Sequence, residues 1–320
     1  MYTSLTIDDG VEFVEFDEFI VSKSEVDETL RRIEDNMKEV ANDVPLVIYH
    51  GNCQDGFCAA WAVWVCHPDW EFYPAKHGDA PPDVAGRIVY MLDFSYKKDV
   101  IMAMAAVAEE ILILDHHKTA EAELCNLWKL NTQRDNVFVS FDMDKSGAML
   151  AWEWFHPNEA IPEIVKHVQD RDLWKFELED TKEISMYFFS LEYDFETWDW
   201  NADLLESHAD KQEVIIAGSA IIRKHNKDIK ELLVNTQHMG ISGWHVPVIN
   251  LPYTMASDAC NILCKGWRFA ASYYIDKDGY YIFSLRSDNE GIDVSEIAKD
   301  YGGGGHKHTA GFKVKSLEEL

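Results

Sequence analysis

The sequence predicts an α/β protein in which a parallel-sheet domain is joined by a helical linker to a smaller α+β domain. Three observations carry that prediction. Wholly apolar runs recur as Leu46-Val47-Ile48-Tyr49, Ile88-Val89-Tyr90-Met91-Leu92 and Ile111-Leu112-Ile113-Leu114. Runs without polar alternation mark strands buried on both faces, as in parallel sheets. Helix-prone segments separate them, as βαβ crossovers require. Beyond a charged, helix-prone stretch at 203–237 the pattern changes to strands, two of them joined by Asp276-Lys277-Asp278-Gly279, a strong hairpin signal.

Taken in order, residues 1–44 form an acidic N-terminal extension. Within it 11–20 alternates hydrophobic and acidic residues like an exposed strand, and 25–40 has helical spacing at Val26, Leu30, Ile33, Met37 and Val40. An extra layer or an oligomer contact is its expected role. Residues 45–202 hold the parallel sheet. The first buried strand runs into His50, and Gly51-Asn52-Cys53-Gln54-Asp55-Gly56 then turns into an apolar helix start at 57–62. Residues 74–82, with three prolines, read as loop, and His77 as a surface histidine. The second strand delivers Asp93, and an apolar helix at 100–108 crosses to the third, which delivers Asp115-His116-His117. A fourth strand is expected at 137–141 and a helix at 148–155, with Asp142, Asp144 and Ser146 as capping residues. An amphipathic segment at 161–169 runs into Asp170-Arg171-Asp172. Residues 203–239 read as the helical linker and 240–320 as the smaller domain, with polar stretches at Ser284-Leu285-Arg286-Ser287 and Gly302-Gly303-Gly304-Gly305-His306.

Composition narrows the function. At 320 residues with 47% hydrophobic side chains the chain builds packed cores, and 29 Lys+Arg against 57 Asp+Glu leave a net charge of −28. So acidic a surface repels long polyanions, because nucleic-acid affinity comes from basic side chains displacing counterions. No apolar run approaches the ~18 residues of a membrane span, and the amino terminus lacks a signal-peptide pattern. A soluble, cytoplasmic protein is expected. The six cysteines form no Cys-x-x-Cys pair or zinc spacing and are expected as buried free thiols.

Three strands each deliver a ligand or acid/base group to what should be one rim of one sheet, the carboxyl end where open α/β sheets bind ligands. Plainer readings exist for each residue: Asp55 as a helix cap, Asp170-Arg171-Asp172 as a surface ion-pair group, the glycines as a turn. Collected, however, His50, Asp55, Asp93, Asp115, His116, His117 and Asp170 suit a pair of divalent ions. The oxygen-rich set without cysteine favours Mn²⁺ or Mg²⁺ over structural zinc. Two such ions activate water for attack at phosphorus. Four consecutive glycines can crowd backbone N–H groups on an anion, with His306 and Arg286 as directed donors.

These motifs resemble the DHH phosphoesterase superfamily with its DHH-associated domain. Leu114-Asp115-His116-His117 matches the naming motif. Gly303-Gly304-Gly305-His306 with Ala310-Gly311-Phe312, and Ser284-Leu285-Arg286-Ser287 before it, match the second domain. The resemblance spans roughly residues 45–315. It implies His50, Asp55, Asp93, His116 and Asp170 as metal ligands, with Asp93 bridging, Asp115 orienting His116, and His117 contacting the scissile phosphate. It implies Gly303, Gly304, Gly305, His306, Arg286 and Ser287 as substrate-binding residues. Many relatives carry a second aspartate in the first motif, where the candidates here are the neutral Asn52 and Gln54. Asn52, the assigned ligand, should then make one metal site weak.

The expected activity is a Mn²⁺-dependent phosphodiesterase that hydrolyses short oligonucleotides or cyclic dinucleotides with two ions, Mg²⁺ serving as a substitute. The alternatives are a small-nucleotide phosphatase, a RecJ-like single-strand exonuclease, or a catalytically silent nucleotide sensor. The expected partner is a short oligonucleotide or a linear or cyclic dinucleotide, with no long duplex and no membrane, and with a homodimer allowed.

Overall fold

A computed structural model describes residues 44–124 and 136–320, together with the backbone of strands β1 (Ser4–Ile7), β2 (Val11–Phe16) and β3 (Phe19–Ser22). Those three strands form an antiparallel sheet in the order β1-β2-β3. The stretch expected as one exposed strand is therefore two strands, and the helix expected at 25–40 lies outside the described residues.

The main body begins with β4 (Leu46–His50), α1 (Gln54–Cys66), β5 (Glu71–Ala75), β6 (Ile88–Leu92), α2 (Lys98–Val107), β7 (Glu110–Asp115), α3 (Lys118–Leu124) and β8 (Val137–Phe141). The five strands form a parallel sheet in the order β5-β4-β6-β7-β8. Successive side chains in a strand point to opposite faces, and both faces here are covered. Val47, Tyr49, Leu92, Leu112 and Leu114 pack on one side with α1 and its neighbours, whereas Leu46, Ile48, Met91, Ile111 and Ile113 pack on the other with α2. That double burial is why these strands read as unbroken apolar runs.

Strand β5 falls partly in the stretch expected as loop. Pro74 lacks an N–H and is tolerated because β5 is an edge strand.

Five helices follow: α4 (Gly147–Phe155), α5 (Glu163–Asp172), α6 (Thr181–Phe189), α7 (Phe195–Glu206) and α8 (His208–Leu232). The chain then builds β9 (Gln237–Ile241), β10 (Trp244–Asn250), α9 (Tyr253–Leu263), β11 (Ala270–Ile275), β12 (Tyr281–Arg286), α10 (Val294–Asp300), β13 (Gly304–His306) and β14 (Thr309–Val314). This second sheet, ordered β13-β14-β12-β11-β10-β9, is antiparallel except where α9 crosses between β10 and β11, which pair parallel. The β11–β12 hairpin turns where its sequence indicates: Asp276 Oδ1 accepts from the N–H groups of Asp278 at 2.9 Å and Tyr280 at 2.8 Å.

Two bodies meet at the carboxyl rim of the parallel sheet. Lys118 pairs with Asp293, the Gly305 N–H donates to Thr119 Oγ1 at 3.1 Å, and His225 Nε2 lies 2.9 Å from Asp258 Oδ2. No helix among the described residues is long and apolar enough to cross a membrane.

Candidate active site

Strand ends place the first groups. Asp93 follows β6 with φ +52, a left-handed conformation that Asp tolerates better than bulkier residues, and its N–H donates to Leu114 O at 3.0 Å. Its Oδ1 lies 3.1 Å from His116 Nε2 and its Oδ2 lies 3.3 Å from His50 Nδ1. Asp55, in the first turn of α1, reaches across to the start of α4, where Gly147 N–H donates to Oδ2 at 2.6 Å and Ala148 N–H to Oδ1 at 2.9 Å. Asp55 thus adds, from a different helix, to the cap that Ser146 supplies as expected by accepting from Met149 N–H at 3.3 Å, and the same carboxylate sits 3.5 Å from His116 Nε2.

Two glycines permit this approach. A Cβ on Gly56 would lie 2.4 Å from His50 O, and one on Gly147 would lie 2.4 Å from Asp93 Cβ. No side chain larger than hydrogen fits at either place.

Asp115 departs from its expected role. Its carboxylate accepts from the His117 ring at 2.7 Å, the His116 N–H at 2.7 Å, the His117 N–H at 3.2 Å and Ser95 Oγ at 3.0 Å. It therefore orients the His117 ring, and holds His116 only through the backbone. The cause is geometric: alternating residues at the end of β7 send the His116 ring toward Asp93 and Asp55.

Asp170 also departs. Its Oδ1 accepts from Glu177 N–H at 2.8 Å, and its Oδ2 from Leu178 N–H at 3.1 Å and Thr181 Oγ1 at 2.6 Å. This carboxylate clamps the loop after α5 and stands outside the ligand clusters. Asp172 takes the place instead, its Oδ2 3.6 Å from His116 Nε2. Residues two apart on a helix project to nearly opposite sides, so only one of the two can face the rim.

Asn52 departs for a similar reason. It is exposed, at φ +59, while Gln54 turns away to donate to Ser185 O at 3.3 Å. The residue between them, Cys53, has its Sγ grouped with His50 and Asp93, the ligand atoms lying within 4.8 Å of one another. The expectation of a cysteine-free set is corrected accordingly. Sequence reasoning took Cys53 for a buried free thiol and gave Asp172 at most a supporting place beside Asp170, so it placed neither among the candidate ligands. His77, read as a surface residue, is exposed but lies at the rim of the site, its ring centroid 5.3 Å from that of His50.

Across the cleft, His306 stacks on His117 at 4.5 Å between centroids and lies 4.7 Å from His116. Arg286 donates to Ser257 Oγ at 2.6 Å and to Leu285 O at 2.8 Å, near enough to Asp172 to feel its charge. Ser287 is buried in its own loop, donating to Ile292 O at 2.7 Å. The glycine amides are largely engaged: Gly302 N–H with Lys299 O, Gly303 N–H with Ala298 O, and Gly305 N–H with Thr119.

The electrostatics are those of a crowded anionic pocket. Burial, with Asp93 and Asp172 close by, pushes the Asp55 carboxyl well above the usual range. Burial likewise opposes ionisation of Asp93, but His116 and His50 hold it well below that range. Burial disfavours charge on His116, yet Asp93, Asp172 and Asp55 push it up to about 10.

Four groupings of His, Cys and acidic atoms meet here: His50-Cys53-Asp93, Asp55-His116-Asp172, Asp93-Asp115-His117 and His116-His117-His306. Asp93 Oδ2 and His50 Nδ1 are buried and have no hydrogen-bond partner. Buried polar atoms are nearly always satisfied, so facing lone pairs of this kind fit a divalent cation.

Comparison with known proteins adds the following. Residues 252–320 match the DHHA1 domain. The chain is 31% identical over 312 residues to an uncharacterized protein, R106, of Acanthamoeba polyphaga mimivirus, covering 87% of this chain and 69% of that one. Among solved structures, the pGpG-specific phosphodiesterase PggH from Vibrio cholerae aligns at 13% identity and TM-score 0.46, covering 85% of this chain and 93% of that one. RecJ from Thermus thermophilus in complex with Mn²⁺ aligns at 10% identity and TM-score 0.45, covering 89% and 51%.

Proposed function

The chain belongs to the DHH phosphoesterase superfamily, and from that premise we propose that it is a divalent-metal phosphodiesterase cleaving short oligonucleotides or cyclic dinucleotides. The observation that carries this reading is the meeting of His50, Asp55, Asp93, His116 and Asp172 at one sheet rim, faced by His306 from the second domain.

Asp55, His116 and Asp172 would hold one ion, with Mn²⁺ or Mg²⁺ favoured by hard oxygen donors, and Asp93 would serve both ends of the pocket. Ions bound there would supply an acidified water and offset charge building at phosphorus. The rest falls to side chains. Asp115 accepts from His117 Nδ1–H, so that in the protonated ring the Nε2–H is free to donate to a phosphate oxygen. Burial disfavours charge on His117, but Asp115 raises its pKa above the ordinary histidine value and favours the donating form. His306, which burial holds down to about 2, stays neutral and offers one N–H from the opposite wall. Arg286 adds a fixed positive charge on the same side. The strongly negative surface favours short substrates over long strands.

The test is incubation of the protein with a dinucleotide, a cyclic dinucleotide and a long single strand, each with Mn²⁺ or EDTA. Mononucleotide release from the short substrates, abolished by EDTA, is the expected result. Faster cleavage of the long strand would favour the exonuclease reading, and phosphate release from mononucleotides the phosphatase reading. Binding of a dinucleotide with no cleavage of any substrate would favour the silent sensor.

A further inference from the structure

We infer that Cys53 is a metal ligand which, with His50 and Asp93, makes one end of the pocket a sulfur-containing site selecting a thiophilic divalent ion such as Zn²⁺ over Mn²⁺. The inference rests on the reading of the rim as a metal site and concerns what that site prefers.

Position is the first argument. Cys53 is the residue before α1, in extended conformation with φ −119 and ψ 135. The left-handed Asn52 before it, at φ +59, is exposed, whereas Cys53 is only half-buried and has its Sγ in the group formed with a His50 nitrogen and an Asp93 oxygen. Burial and the carboxylates of Asp93, Asp172 and Asp55 keep the thiol protonated, outweighing the Gly56 N–H at the helix start, so the ion itself must displace the proton.

The second argument is independent of the cysteine. Asp93 is 1% exposed, and its Oδ2 has no hydrogen-bond donor although it lies 3.3 Å from His50 Nδ1, which is itself unsatisfied. An imidazole nitrogen and a carboxylate oxygen turned toward one space, neither holding a well-formed hydrogen bond, offer two ligand atoms to a cation.

The other described cysteines have ordinary roles. Cys66 and Cys264 donate their S–H groups back to carbonyls of their own helices, Cys260 does so to Ser284 O, and Cys58 is packed in the apolar core. Cys53 alone among the described cysteines stands with a histidine and an aspartate.

Chemistry sets the selectivity. On binding, the thiol loses its proton to solvent and the sulfur lone pair forms the bond to the ion, so that one divalent ion enters and one proton leaves. Thiolate, imidazole and carboxylate together suit Zn²⁺, with three protein ligands leaving an open position. Oxygen donors alone suit Mn²⁺ or Mg²⁺. Asp55, His116 and Asp172 remain sulfur-free, so the two ends of the pocket differ in softness and would fill with different ions.

The experiment is a Co²⁺ titration of the full chain, followed in parallel by calorimetry and absorption. The wild-type protein should show a near-ultraviolet sulfur-to-cobalt charge-transfer band. Cys53→Ser and Cys53→Asp should bind Co²⁺ without it, and Cys66→Ser should keep it. In competition, wild type should prefer Zn²⁺ to Mn²⁺ by a clearly wider margin than Cys53→Asp does, since N/O sites also favour Zn²⁺ and only the thiolate adds to that margin; equal margins count against the sulfur ligand. Circular dichroism of the metal-free variants checks that they are folded. Calorimetric binding of Co²⁺ to wild type without the band, or a band that survives in Cys53→Ser, overturns the assignment while leaving the metal-dependent function standing. No Co²⁺ binding to wild type overturns both.

Discussion

Asp170 and Asp172 stand two residues apart, and replacing each by Ala separates a loop clamp from the residue proposed as a metal ligand. Removing the Asp170 carboxylate strands three donors, the N–H groups of Glu177 and Leu178 and the hydroxyl of Thr181. Thr181 is buried, so its hydroxyl bears the full cost of a lost partner, about 1–3 kcal/mol; the two amides lie in an exposed loop and recover part of theirs from water. A total of about 3 kcal/mol is expected, and at about 2–4 °C per kcal/mol the metal-free melting temperature should fall by about 6–12 °C. Asp172→Ala removes one of three neighbouring carboxylates and leaves that loop intact, so metal-free melting should hold or rise slightly. Added Mn²⁺ should still stabilise Asp170→Ala and should stabilise Asp172→Ala much less. Differential scanning calorimetry with and without Mn²⁺ measures all four values. If Asp170→Ala melts like wild type without metal but loses the Mn²⁺ response, while Asp172→Ala keeps it, the assignment of the two residues is wrong.

Three further outcomes follow from the same geometry. Saturating divalent metal should raise the melting temperature, with about 2.7 kcal/mol added when free metal exceeds the dissociation constant a hundredfold, and EDTA should reverse the rise in a thermal scan. Among the glycines, Gly303→Ala should unfold the second domain, because a Cβ there would lie 2.1 Å from Gly311 O; Gly304→Ala should perturb only the cleft, since its nearest neighbour is the Thr119 hydroxyl at 2.7 Å, and urea melts of the two variants will differ accordingly. Stability should also fall with acid through His167, whose pKa burial and then Lys211 lower to about 4. Lys211 Nζ can only donate to its Nε2 at 3.2 Å, so the neutral ring presents Nδ1–H to Thr181 Oγ1 at 2.8 Å. The folded pKa lies below the unfolded value of about 6.5. Below pH 6.5 the unfolded chain therefore binds the proton first, and about 3 kcal/mol of stability is lost as pH falls from 6.5 to 4. His167→Gln should flatten that part of the urea-midpoint profile against pH; an unchanged slope would refute the coupling.

The parallel sheet was legible because its strands are covered on both faces, which forces consecutive residues such as Ile111 to Leu114 to be apolar whichever way they point. The meeting of His50, Asp93 and His116 was legible for a related reason: a strand in such a sheet ends where its apolar run ends, and the next side chain stands at the rim. Strand β5 was hidden because an edge strand can hold proline and polar residues without losing a ladder on its inner side. The loop-clamp role of Asp170 was hidden because its partners, Glu177, Leu178 and Thr181, lie beyond a turn whose path local spacing does not specify.

By itself, then, the sequence determined the α/β architecture, the rim and the family, since each is written in the periodicity of burial or in an ordered motif. Only the tertiary structure decided which neighbour of each motif residue faces the pocket: Cys53 over Asn52, Asp172 over Asp170, and the His117 ring over that of His116 as the partner of Asp115. The physical reason is that one residue's step along a turn or helix redirects a side chain by about 100° or more. The left-handed backbone at Asn52 (φ +59) and Asp93 (φ +52) is one that Asn and Asp adopt more readily than bulkier residues, and at Asp93 it is also tied to the neighbouring strand by the N–H bond to Leu114 O.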